Sequence, residues 1–235
     1  MSKAKRKSVP LTGKPLVVGT IHSAGALRQA LALKRGEVDV LELRVDHFAD
    51  NPEPLLAAAP RLAAPLIVTV RHPAEGGAGS LSLSRRRELY AAFLSVAAFV
   101  DIEVRSCATL APLISEARES GAHVIVSDHH FRSTPSISRL KERLSAARAA
   151  GASIFKLAAL VSKPADLATL LSFLAGERRQ PLSVMGMGAL GKVSRLLFAR
   201  TGSVLNYGYL DRPQVPGQWE ATLLKQRIAE TVGDR

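Results

Sequence analysis

The chain has 235 residues, 47% of them hydrophobic and only 5% aromatic, enough to bury roughly 70–75% of its unfolded surface around an aliphatic core. That excludes disorder as a general description, and a single cysteine, Cys107, excludes an internal disulfide and a cysteine-built zinc module. Lys and Arg outnumber Asp and Glu by 32 to 20, a net charge of +12, of which Lys3, Lys5, Arg6, Lys7 and Lys14 lie in an opening stretch without an acid.

Residues 1–14 therefore read as a basic, solvated, disordered tail, and 15–235 as one domain carrying the remaining +7. Such a balance suits an anionic substrate. No apolar run reaches membrane-spanning length and none follows the basic N-terminus, so neither a membrane span nor a secretion signal is expected. A reducing, cytoplasmic setting is the expectation.

Eight strand-like apolar runs recur along the chain, at 15–21, 38–46, 65–71, 99–104, 123–130, 152–160, 181–188 and 203–210. Helix-compatible stretches separate them. The clearest places Leu167, Leu170, Leu171 and Leu174 on one face between Pro164 and Gly176, and Leu140, Leu144 and Ala147 repeat the pattern before Gly151. Strand–helix alternation with short connections demands parallel strands and right-handed crossovers. Eight units in this length favour a (β/α)8 TIM barrel over the runner-up, an open doubly wound sheet. The latter also lacks its G-x-G-x-x-G turn after the first strand. Gly76, Gly77 and Gly79 after the third strand read as a flexible loop rather than a phosphate cradle, because no Lys-Ser/Thr signature follows.

Inside such a barrel alternate strand residues point inward, and functional groups collect at the C-terminal strand ends. Polar residues spaced by two fall there: Glu42, Arg44 and Asp46; Thr69 and Arg71; Asp101 and Glu103; Ser127 and His129. Met185 and Met187 share a face on the seventh strand. Strand charges commonly mark a solvated sheet face, but both faces of a parallel barrel are covered, so buried charges must pair or serve chemistry.

Lys156 is the most informative residue. Apolar neighbours Ile154, Phe155, Leu157, Ala158 and Ala159 are expected to desolvate its amine toward the neutral, nucleophilic form that attacks a ketone to give a Schiff base. His129, on the preceding strand, is placed to move protons in the same cavity. His130 must then face the other way, so the two adjacent histidines cannot chelate one ion, and no metal site is expected. His22, His47, His72 and His123 show no partner pattern and read as structural.

These residues, in this order, resemble the type I 3-dehydroquinate dehydratase family of the shikimate pathway. The likeness runs from about residue 15 to 220 through ELRVDHF (42–48), R-x-x-x-EGG (71–77), DIE (101–103), S-x-H-x-F (127–131) with TP at 134–135, FKLA (155–158), M-x-M (185–187), SRL (194–196) and PGQ (216–218). The resemblance implies a Schiff base between Lys156 and the C3 ketone of 3-dehydroquinate, with His129 as general acid and base and Glu75 as its carboxylate partner. It implies Arg195 as the clamp on the substrate carboxylate, Glu42, Arg44 and Arg71 around the hydroxyls and imine, and Met185, Met187 and Tyr207 as ring walls. Gln218 falls in the loop that closes over the substrate, and Asp101 and Glu103 look like supporting charges.

Three positions depart from the family pattern. Gln214 stands where a loop serine is usual, His130 where a smaller acid or amide is common, and Tyr207 where Phe is usual. The expected partner is the small-molecule substrate 3-dehydroquinate, with no cofactor, no metal and no membrane; a homodimer is one allowed assembly. Two other readings stay open at this point: another Schiff-base barrel of the class I aldolase kind acting on a small keto acid, and a non-catalytic barrel binding anions or nucleic acid.

Overall fold

The computed structural model describes Val9, Leu11 and residues 14–232. Each apolar run forms a strand: β1 (Leu16–Ile21), β2 (Val40–Arg44), β3 (Leu66–Thr69), β4 (Phe99–Glu103), β5 (His123–His130), β6 (Ile154–Leu160), β7 (Leu182–Met187) and β8 (Leu205–Tyr209). The helices between them are α1 (Ala24–Ala32), α2 (Glu53–Ala58), α3 (Leu83–Phe93), α4 (Ala111–Glu119), α5 (Ile137–Ala149), α6 (Pro164–Gly176), α7 (Gly191–Thr201) and α8 (Ala221–Val232). Ser23, Ser82 and Ser136 start α1, α3 and α5 by accepting a backbone N–H with the side-chain hydroxyl.

All seven ladders are parallel, in the order β7-β6-β5-β4-β3-β2-β1-β8. The remaining seam, between β7 and β8, is crossed by the backbone N–H of Val204 donating to Leu182 O at 2.8 Å and by Ser183 Oγ donating to Leu205 O at 2.7 Å. The eight-stranded barrel is thus nearly closed, as the alternation predicts.

Period-two alternation sorts the apolar residues into two cores. Val18, Val40, Ile67, Phe99, Ile125, Ile154 and Leu205 fill the barrel floor, while Leu41, Val68, Val100, Val126, Phe155 and Leu157 face the helix ring. Val9 packs against the floor. The basic segment expected over residues 1–14 otherwise lies outside the described residues, apart from Leu11 and Lys14. Among the described residues no helix is long and apolar enough to cross a membrane.

Candidate active site

Above the apolar floor the inward positions turn polar, and a cavity of about 410 Å³ opens at the C-terminal strand ends. All twelve site residues named in the sequence analysis line it: Glu42, Arg44, Arg71, Glu75, His129, Lys156, Met185, Met187, Arg195, Tyr207, Gln214 and Gln218. The barrel interior thus carries many charges with little water, and each must be answered by a partner.

Arg71 answers most of them. Its Nη1 and Nη2 bond Asp101 Oδ1 and Oδ2 at 3.1 and 3.0 Å, and Nη1 also reaches Glu103 Oε1 at 3.1 Å and Ser127 Oγ at 2.7 Å. Glu103 is completed from α3, where the buried Arg86 donates to its Oε2 at 2.7 Å. Burial alone would raise the Asp101 carboxyl, but the Arg71 and Lys156 charges outweigh it and hold it far below the usual carboxylate range.

Lys156, only 4% exposed, extends its Nζ to Asp101 Oδ2 at 2.8 Å and Glu42 Oε1 at 3.4 Å, over the face of the Tyr207 ring 3.9 Å from its centroid. The expectation of an amine wrapped by its strand neighbours needs correction here. Phe155, Leu157 and Ala159 belong to the outer core, and the amine instead faces two carboxylates and an aromatic ring. Asp101, read as a supporting charge, is the nearest acid to the lysine.

His129 sits one inward step above Lys156 on the adjacent strand, since Ser127 pairs with Lys156 and His129 with Ala158. Its Nδ1 meets Glu75 Oε2 at 2.9 Å, and the Phe131 ring stacks alongside at 6.2 Å between centroids. Burial, with the Arg71 and Lys156 charges, pushes the imidazole well below its ordinary value, which leaves it neutral at neutral pH. Burial raises Glu75 to about 7 against the opposing pull of Arg71, with Glu103 and Asp128 adding to the rise. The proton taken up by the pair as pH falls through about 7 therefore goes to Glu75.

The turn that presents Glu75 is tight. Glu75 and Gly77 both donate backbone N–H to His72 O, at 2.9 and 3.1 Å. Gly76 has a φ of 82°, and a Cβ on Gly77 would collide with the Arg71 carbonyl. The Gly76 carbonyl then accepts from Arg44 Nη2 at 2.9 Å, while Arg44 is also paired in bidentate fashion with Asp46.

The roof is the segment after β8. Gln214 Oε1 accepts from Arg44 Nη1 at 2.7 Å, and Gln218 Oε1 folds back to accept the backbone N–H of Gln214 at 2.6 Å. Gly217, at a φ of 81°, packs against Gly188 and Gly191 with no room for a side chain. Beneath it Arg195, 1% exposed, donates Nε to Gly217 O at 3.3 Å, while its buried Nη1 has no hydrogen-bond partner. Burial alone lowers its pKa to about 10. A buried guanidinium with a spare donor at a cavity wall is matched by an anion.

Two histidines read as structural also line the cavity. His22 and His47 meet edge to face with centroids 5.7 Å apart, and His22 Nε2 lies 3.5 Å from Asp211 Oδ1 at the start of the roof segment. Sequence spacing carried no signal for them, because they follow two different strands, His22 after β1 and His47 after β2. His130 points outward as expected, and no group of His, Cys, Asp and Glu among the described residues has the arrangement of a metal site.

The family model for type I 3-dehydroquinase matches residues 15–230. The chain belongs to the type I 3-dehydroquinase family. This places it among enzymes, as a hydro-lyase of the shikimate pathway, and sets aside the aldolase-like and non-catalytic readings. The chain is 30% identical over 231 residues to the catabolic 3-dehydroquinate dehydratase of Acinetobacter baylyi, covering 93% of this chain and 83% of that protein. It is 34% identical over 205 residues to the 3-dehydroquinate dehydratase of Methanocella arvoryzae, covering 87% and 91%. Among solved structures, the 3-dehydroquinate dehydratase of Geobacillus kaustophilus superposes with a TM-score of 0.83 at 28% identity, over 92% of this chain and 91% of that one. This dehydroquinase therefore shares the barrel of its relatives.

Proposed function

We propose that the cavity converts 3-dehydroquinate to 3-dehydroshikimate and water through a Schiff base on Lys156. One observation carries the reading: a buried lysine amine and a neutral, Glu75-paired imidazole share a cavity whose lining also holds a buried arginine with a spare donor. The substrate carboxylate pairs with Arg195. The substrate ketone then meets the Lys156 amine, and condensation expels one water.

The cationic imine is the electron sink the reaction needs, because a C–H beside a simple ketone is too weak an acid for imidazole. His129 takes the C2 proton, and the electron pair moves into an enamine. The enamine expels the C1 hydroxyl, which leaves as water with the proton returned by His129. Hydrolysis of the remaining imine consumes one water, releases the enone and frees Lys156, so the net change is loss of a single water. Asp101 and Glu42 face the nitrogen and offset its charge as ammonium before condensation and as iminium after it.

Glu42, Arg44, Arg71 and Gln214 provide polar contacts for the hydroxyls and the imine surroundings; Met185, Met187 and Tyr207 pack on the ring. Gln218 acts mainly by bracing the roof segment, since its carbonyl is taken up by the backbone of Gln214.

Mixing the purified protein with 3-dehydroquinate is expected to produce conjugated-enone absorbance. Borohydride added during turnover is expected to fix the reduced ligand on the peptide containing Lys156, and Lys156→Ala to abolish both signals. Enone formation without any adduct would keep the reaction and refute the Schiff base.

A further inference from the structure

The inward site leaves unused a polar cluster on the outer face of the same strand. Asp128 and His130 flank His129 in β5 and by alternation point to the helix layer. Asp128 is 2% exposed. Its Oδ1 and Oδ2 receive Nη2 and Nε of Arg143, both at 3.0 Å, and its Oδ2 also meets His130 Nε2 at 2.8 Å. Arg143 belongs to α5, the crossover helix that follows β5. The end of the strand is therefore tied to its own helix through Asp128, which also holds His130 on the other side of His129.

We infer that the Arg143–Asp128–His130 clamp is the positioning device that aims His129 at Glu75 and the lysine. A strand end needs such a device because its final residues lack the full ladder that holds the middle of the sheet. The His129–Glu75 bond at 2.9 Å survives only if the backbone of residue 129 keeps its height and rotation. The planar, bidentate guanidinium fixes Asp128, and Asp128 in turn holds His130, so both neighbours of residue 129 are tied through one carboxylate. Apolar packing would serve burial equally well but would not fix rotation. None of the three lines the cavity, and Asp128 reaches Glu75 only through its charge, so Asp128, His130 and Arg143 are positioning residues and not catalytic ones.

The inference rests on the role proposed for His129, so the test includes a readout that needs no turnover. In 15N-histidine-labelled protein, Asp128→Asn and Arg143→Lys are expected to broaden or shift the His129 Nδ1–H resonance at pH 8. His130→Gln, whose amide can still donate to Asp128, is expected to keep it, and His130→Ala to perturb it. In parallel, Asp128→Asn and Arg143→Lys should lower kcat about tenfold with KM within about twofold, as misplacement of a reacting group does, while His130→Gln stays within about twofold of the parent. Unchanged kcat and an unchanged His129 resonance in Asp128→Asn and Arg143→Lys, whatever their Tm, would overturn the inference and leave only a structural tie. Equal losses in His130→Gln and His130→Ala would overturn it too, since His130 itself would then be the active group. If the parent shows no dehydratase activity, the functional reading fails, and the resonance alone decides the clamp.

Discussion

Lys156 Nζ and Arg71 Nη2 converge on one oxygen, Asp101 Oδ2, at 2.8 and 3.0 Å. A single buried carboxylate thus holds both the amine proposed as nucleophile and the guanidinium that organises the charges around it. Removing one partner from such a group strands the others in low dielectric. Asp101→Asn is expected to lose about 3–5 kcal/mol of stability, measured by urea unfolding, and to form the borohydride-trapped adduct poorly. Parent-like stability would show that Glu42 and Glu103 suffice to balance the two cations.

His129 and Lys156 have separable roles in the proposed mechanism. His129→Ala is expected to lower kcat by about a thousandfold, in the range of a lost general acid–base group, while borohydride still traps substrate on Lys156. Loss of trapping in that variant would assign His129 to imine formation instead.

The Glu75–His129 pair sets a pH dependence. For His129 to accept a proton at Nε2, its Nδ1 must carry hydrogen and donate it to an ionised Glu75. As pH falls through about 7, the value to which burial raises Glu75, that carboxylate takes the proton and donates to Nδ1, which puts hydrogen on Nε2. Turnover should therefore drop on the acid side with a midpoint near 7, and a flat profile between pH 6 and 8 would contradict the pairing.

The same raised value has a stability consequence. The folded chain binds the Glu75 proton more tightly than the unfolded one, so this contribution is full below the ordinary 4.5 and is lost as pH rises through about 7. Glu75→Gln is expected to be more stable than the parent at pH 8, by up to about 3 kcal/mol, and to lose that advantage at pH 4, while its turnover is severely reduced. Thermal unfolding at the two pH values reads the difference; an advantage that grew toward acid would reverse the sign.

Gln214 fastens the roof to Arg44 at 2.7 Å. A hydrogen bond to a buried charge is worth about 1.5 kcal/mol or more, so Gln214→Ala should raise KM about tenfold. Gln214→Ser, whose hydroxyl stops short of Arg44, should behave alike. An unchanged KM in steady-state kinetics would separate the roof contact from substrate binding.

Period-two spacing alone told which strand residues share the barrel interior: Glu42 with Arg44, Ser127 with His129, and His130 on the opposite side. Alternation of eight strands with helices told the barrel, and motif order told the family, because both are local properties of the chain. Closure of the barrel decided the rest. It brought Asp101 of β4 onto Lys156 of β6, drew His22 and His47 to the cavity, and let Arg86 of α3 complete Glu103. Such pairings join residues far apart in the chain, and no spacing rule records a distance that arises only when the first and last strands meet.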